Sequence, residues 1–288
     1  WWSGPGVPHA KIFAGSVIPQ GRHSYEEGSC KVKETFIKEL VKVELKNPVM
    51  IEGLPGLGLV GKIAIRYLIK QLRAQKFAHL YSPHFPYFVL VSKKGSVRLL
   101  RGTFYFWKNE GGENDLILFT GDSQAQTIEG QYEISNKILD FAKQYNVKLV
   151  VTIGGYRMEV KDKPRVIAVA TSHKILSRAL KADAILSPFG CPIVGTAGLI
   201  LGLAPFKNIE ALCLLGETRG YLPDPKAAKS VLEVLTKFLG LSLDLTGLDE
   251  EIAKAESMVA RLQRIEEKRA LQAEEMRREE DKKITYIS

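Results

Sequence analysis

Residues 52–62 read Glu-Gly-Leu-Pro-Gly-Leu-Gly-Leu-Val-Gly-Lys, and their glycine spacing answers to two kinds of phosphate chemistry. Gly56, Gly58 and Gly61 spell G-x-G-x-x-G behind an apolar run at Val49–Glu52, as in a dinucleotide-binding turn. Gly56 to Lys62 also spells G-x-x-x-x-G-K, the opening of a phosphate-binding loop. Each pattern then lacks the residue its chemistry requires. The loop needs Ser or Thr after the lysine to hold magnesium, and Ile63 stands there. The dinucleotide turn needs an acid about 20 residues on for the ribose hydroxyl, yet no Asp or Glu occurs between Gly53 and Asn109. The glycines therefore read first as backbone, allowing a tight strand-to-helix turn and close helix–sheet packing. A helix N-terminus still attracts anions, so Gly58, Gly61 and Lys62 are candidates for holding one.

Two carboxylates extend that candidate cleft. Asp122 follows the apolar run Leu116–Thr120, and Glu217 follows Ala211–Gly216; both fall where open α/β sheets bind ligands, beyond strand carboxyl ends. Thr152–Tyr156, with Gly154 and Gly155, ends a third such run. The plainer reading is that acids and glycines cap helices and turns. Cys191, in Phe-Gly-Cys-Pro, occupies a nucleophile-like position, but reactivity requires a neighbouring base or cation. The histidines His9, His23, His79, His84 and His173 have no metal-ligand spacing, and no G-x-S-x-G or H-E-x-x-H is present. No metal, cofactor or catalytic constellation is expected.

Periodic elements must position these residues. Apolar runs at 49–52, 77–81, 87–92, 97–100, 103–107, 115–119, 147–153, 166–170 and 209–215 alternate with helical periods at 59–74, 128–145, 172–182, 195–204 and 225–239. Strands separated by helices predict an α/β fold with a mainly parallel sheet flanked by helices. The closely spaced runs of 87–107 predict an antiparallel insertion, a three-stranded meander at the sheet edge. Asp224-Pro225 reads as a helix N-cap with proline in the first turn. Residues 35–247 form one domain on this reading, and residues 1–34, rich in Gly, Pro, Ser and His with no signal-peptide pattern, a leader outside it.

Residues 248–288 form a long C-terminal helix. Leu248, Ile252, Val259 and Leu262 make an apolar seam suited to a partner helix, which predicts self-association as a homo-oligomer. Beyond the seam charge pairs dominate, and the chain closes on Ile284, Tyr286 and Ile287, an apolar tip suited to docking.

Composition sets the surroundings. The 288 residues carry 41 Lys and Arg against 32 Asp and Glu, a net charge of +9. The acid-free window holds ten of those cations, from Lys62 to Lys108. Such a one-sign patch meets an acidic partner or nucleic acid, and the absence of an aromatic RNA signature or a helix-turn-helix argues against the latter. Three cysteines without a C-x-x-C, and no long apolar run, place the chain in a cytoplasmic setting with no membrane partner.

Several blocks, in order, resemble the PAC2 family, relatives of the proteasome assembly chaperones: Glu52–Gly61, Gly121-Asp122, Ile153–Tyr156, Gly195–Gly202 and Leu215–Ala228. The resemblance implies a nucleoside phosphorylase-like fold and a cofactor-independent, ATP-independent chaperone. Its partners would be proteasome α-subunits or the α-ring, with unfolded proteins as further clients. Tails that dock on the proteasome often end hydrophobic-Tyr-any, whereas Tyr286 here stands one position too early. The contrasting reading is an enzyme or sensor for a nucleoside-like or phosphorylated ligand, using Gly58, Gly61, Lys62, Asp122 and Glu217.

Overall fold

The computed structural model describes residues 33–160 and 162–258. The elements are β1 (Phe36–Glu39), β2 (Val49–Glu52), α1 (Val60–Gln71), β3 (Gln75–Tyr81), β4 (Val89–Val91), β5 (Val97–Leu99), β6 (Gly102–Trp107) and β7 (Leu116–Gly121). There follow α2 (Ile128–Gln144), β8 (Leu149–Arg157), β9 (Val166–Ala170), α3 (His173–Lys181), β10 (Ile185–Leu186), α4 (Thr196–Leu203), β11 (Glu210–Thr218) and α5 (Pro225–Leu239).

Nine strands form one sheet in the order β1-β3-β6-β7-β2-β8-β11-β9-β10. Its centre, β7-β2-β8-β11, is parallel, and both wings turn antiparallel. All four residues of β2 are buried, as a strand covered on both faces requires. Val49 and Ile51 face a core shared with α1, α3 and α5, whereas Met50 faces the opposite core beneath α2 and α4. Helices on both faces of a sheet with a parallel centre are the predicted α/β architecture.

Residues 87–107 depart from the predicted meander. β4 and β5 pair only with each other, as a separate hairpin, while β6 enters the main sheet between β3 and β7. The division falls at Gly102, where a Cβ would sit 2.5 Å from the Phe119 ring, so only glycine lets β6 start this close to β7. The hairpin strands have no continuous apolar face turned inward, since most of their residues are exposed. β1 and the two-residue β10 are additions that the sequence reading did not include.

Capping fixes α5 as the sequence predicts. Asp224 accepts from the Ala227 amide at 2.9 Å with one carboxylate oxygen and from the Thr218 hydroxyl at 2.7 Å with the other. Asp224→Ala is expected to cost about 1–2 kcal/mol in chemical denaturation. Asp224→Asn, which keeps an accepting oxygen, should recover most of it; an unchanged midpoint in the alanine variant refutes the cap.

After α5 the chain runs to a helix over 249–258. Leu248 is fully buried in the α1–α5 core and Ile252 packs partly against it. Leu248 is therefore a core residue of its own domain and is unavailable to a neighbouring subunit. Val259, Leu262 and the tip at Ile284, Tyr286 and Ile287 lie outside the described residues.

Candidate functional site

The parallel strands β2, β7, β8 and β11 point the same way, β8 and β11 running five residues past the end of β2. The glycine turn follows β2 and packs on that extension at Ile153 and Gly155. Gly58 and Leu59 both adopt left-handed conformations, φ 58° and 51°. That conformation costs a leucine about 1–2 kcal/mol, so neighbours must hold it. The Gly58 amide donates to the Gly220 carbonyl (3.4 Å), the Leu59 amide to Gly56 (2.9 Å), and the Val60 amide to Leu57. A phosphate cradle needs these N–H groups free; here backbone carbonyls occupy them. Gly61 serves packing as well, since a Cβ on it would lie 2.4 Å from the Ile153 carbonyl oxygen of β8. A Cβ on Gly155 would lie 2.5 Å from the Leu57 carbonyl oxygen. The turn is backbone laid on backbone, with the Gly58, Leu59 and Val60 amides engaged by carbonyls of the protein itself.

Asp122 and Glu217 do not meet. Their strands are separated by β2 and β8, three strand steps or about 14 Å. Asp122 accepts from both terminal nitrogens of Arg98 (2.6 and 2.9 Å) and from the Arg101 amide (3.0 Å). Burial opposes its ionisation, but the Arg98 fork and that amide prevail and hold its pKa below the usual carboxylate value. Glu217, almost wholly buried, takes three bonds from the Arg165 guanidinium and one from its amide. Hydrogen bonding by Arg165 outweighs burial and lowers the Glu217 pKa too. Both carboxylates are ionised and occupied, which suits them to structure rather than to proton transfer. The five residues predicted as one cleft divide: Gly58 packs by Thr218, Gly61 against β8, Glu217 pairs with Arg165, and only Lys62 and Asp122 line the same cavity.

The remaining reactive side chains form no catalytic set. Cys191 is half-buried, and its thiol makes a weak contact to the Pro192 carbonyl at 3.8 Å. Hydrogen bonding with Cys191 raises the Tyr156 phenol above its ordinary pKa. Burial pushes the Cys213 thiol up to about 12, which keeps it protonated. His84 bonds Glu133 (3.0 Å) and Thr127 (3.0 Å), tying the start of α2 to the loop after β3. Among the described residues no group of His, Cys, Asp or Glu is arranged to hold a metal, and no helix is long and apolar enough to cross a membrane.

What the sequence reading missed is on the surface. The β4–β5 hairpin and its approach expose Tyr87, Phe88, Val89, Val91, Val97 and Leu99. A cavity of about 670 Å³ runs beneath this group, floored by Phe85 and Leu100. An isolated two-stranded hairpin is marginal in water, and a contiguous exposed apolar group of this kind marks an interaction surface. Its signal was available: Val89 and Val91, and Val97 and Leu99, stand at i and i+2, so each strand of the hairpin carries an apolar face.

A profile described as the PAC2 family matches residues 50–263. An uncharacterized protein of Methanocaldococcus jannaschii, MJ1210, is 31% identical over 244 residues, covering 84% of this chain and 93% of its own. Among solved structures, Pyrococcus furiosus PbaB, described as an archaeal proteasome activator, superposes with a TM-score of 0.77 at 40% identity. That match covers 80% of this chain and 99% of PbaB. P. furiosus PbaA, described as an archaeal homolog of proteasome-assembly chaperone, gives a TM-score of 0.64 at 30% identity, covering 78% of this chain and 96% of PbaA.

Proposed function

The chain belongs to the PAC2 family, and from that premise we propose that it is a cytoplasmic, cofactor-independent proteasome assembly chaperone-like protein. It binds proteasome α-subunits or unfolded chains, and it does so as a homo-oligomer. The observation that carries this reading is the exposed apolar hairpin, with Val91 and Val97 paired across its two strands and both open to solvent. Such a surface gains free energy by meeting protein, and no ligand chemistry explains it. The similarity to PbaA at 30% identity supports the same direction. In this proposal Ile284, Tyr286 and Ile287 dock on the α-ring, and Val259 and Leu262 serve subunit pairing.

The test uses the full chain and a variant lacking residues 279–288. Capture of α-rings in a pull-down is expected to be abolished in the variant, while its light-scattering mass stays that of the oligomer. Unchanged capture refutes docking by the tip; a monomeric mass in the intact chain refutes self-association. Val91→Asp with Val97→Asp, on the hairpin surface, is expected to weaken α-subunit or client binding at least tenfold without loss of folding.

A second reading, that of an activator working on assembled proteasomes, is favoured by the 40% identity to PbaB. The two part on a rate. An activator raises peptide hydrolysis by preformed particles, whereas an assembly chaperone raises the yield of rings from free α-subunits. The enzyme reading finds less support, because the turn amides are occupied and Asp122 and Glu217 stand in separate ion pairs.

A further inference from the structure

The acid-free window folds six of its ten cations into one place. Lys62, Arg66 and Lys70 stand four residues apart on α1, so they share a face and form a row about 12 Å long. Across a cavity of about 460 Å³ stand Lys76 from β3, Arg98 from β5 and Arg101 just before β6. The floor between them is sheet: Thr103 and Tyr105 of β6 and Thr120 of β7, all bearing hydroxyls. Six cations thus line the cavity against one acid, Asp122. Both oxygens of that acid are already engaged by Arg98 and the Arg101 amide. Among the described residues none of the other five cations has an ion-pair partner.

Neighbouring side chains register the resulting field. Lys62 has its pKa lowered by burial, with Arg66 and Arg98 adding to the effect against the pull of Asp122. His79, one strand in from the cavity and bonded to Thr103 at 3.2 Å, is pushed down to about 4 by burial and then by Arg101, Lys76 and Arg98. Converged like charges destabilise a fold, and a bound anion relieves that repulsion.

The shape of the cavity narrows the class of anion. Its volume lies within the range of small-molecule sites, roughly 300–1,000 Å³. β3, β6 and β7 are each paired on both sides, so no strand edge is open to an acidic peptide backbone. Single-stranded nucleic acid is held by successive aromatic platforms, and the only aromatic lining this cavity is Tyr105. The Thr120 hydroxyl already donates to the Gly53 carbonyl and Thr103 bonds His79. The guanidinium groups of Arg66 and Arg101, the lysine point charges and the Tyr105 hydroxyl in one small space nonetheless suit phosphate oxygens. We propose that this cleft binds a compact anion carrying two or more clustered phosphate groups. The site is separate from the glycine turn, and the inference does not depend on the proteasome reading.

Inorganic tripolyphosphate is the probe, titrated calorimetrically into the full chain at low and at physiological salt. It is expected to bind at least tenfold more tightly than inorganic phosphate, to raise the melting temperature, and to weaken as salt increases. The Arg66→Ala, Lys70→Ala double variant changes exposed side chains and is expected to lose at least tenfold in affinity. Lys148→Ala with Lys174→Ala, exposed lysines elsewhere, should bind as the parent does. A nucleoside triphosphate that binds equally identifies phosphates alone as the recognised group, and tighter binding adds the nucleoside; both support the site. The proposal is overturned by no binding at millimolar tripolyphosphate, or by equal losses in the two double variants. An acidic peptide or a single-stranded oligonucleotide that outcompetes tripolyphosphate at matched charge also overturns it.

Discussion

Glu52→Gln is expected to stabilise the protein by about 2 kcal/mol at pH 7 and to destabilise it by about 1 kcal/mol near pH 4. Glu52 ends the central strand β2, is 1% exposed, and has one oxygen, Oε2, without a hydrogen-bond partner among the described residues. The other oxygen accepts from the Leu54 amide at 3.0 Å. Burial raises its pKa from 4.5 to about 8, with the Leu54 amide opposing. The folded state therefore keeps the proton at neutral pH while the unfolded chain releases it. A raised folded pKa gives stability that is complete below pH 4.5 and lost progressively as pH rises to about 8. At pH 7 that loss is about 3 kcal/mol, at 1.36 kcal/mol per pH unit. Glutamine has the shape of the neutral acid and does not titrate; its additional unpaired N–H returns about 1 kcal/mol of the gain. Denaturation midpoints from pH 4 to 8 should fall for the parent and stay flatter for the variant. Parallel profiles would show that Glu52 is not the group responsible.

Gly61→Ala should lose about 2 kcal/mol, and Gly202→Ala should gain up to about 1 kcal/mol, although both glycines lie in helices. Alanine is the better helix former by about 1 kcal/mol, which favours both changes. At Gly202 nothing lies within 4 Å of the added carbon. At Gly61 it would stand 2.4 Å from the Ile153 carbonyl oxygen and 3.1 Å from the Gly53 Cα. These are backbone atoms of β8 and of the turn, which cannot swing aside as a side chain does. Overpacking of this kind costs about 1–3 kcal/mol, and at Gly61 the helix itself must lift off the sheet. Urea midpoints of the two variants should move in opposite directions. Movement in the same direction would mean that α1 is not held as closely as its contacts indicate.

The features that were legible in the sequence were local ones. Asp224-Pro225 announced the start of α5, and the helical spacing of Val60, Ile63, Leu68 and Leu72 announced α1, because capping and amphipathicity act within a turn or two. Several block motifs also conveyed the fold. The choice of partners at a distance was not legible. Arg98 reaches Asp122 across 24 positions and Arg165 reaches Glu217 across 52, and either acid could as well have stood free in a cleft. The glycine turn was ambiguous for a related reason. Its spacing is the same whether the amides face a phosphate or the Gly220 carbonyl, and residue 220 is remote in the chain. Phe36–Glu39 escaped because its two exposed end residues, Lys38 and Glu39, leave no period to detect, and Ile185-Leu186 is too short to show one. The gathering of Lys62, Arg66 and Arg101 required knowing that β6 lies beside α1 in space.

The strand order has a consequence for how the chain is made. Residues 36–121 supply β1, β3, β6, β7 and β2, which are contiguous in the sheet, and residues 149–218 supply the other four strands. Within the sheet the halves meet along a single ladder of four residue pairs, from Val49–Leu149 to Glu52–Thr152. Every ladder within the leading half can close before translation reaches β8, and only the flank of β2 then waits for its neighbour. A nascent chain emerging from the ribosome thus keeps one unsatisfied border rather than many, and the later half docks on a template already built.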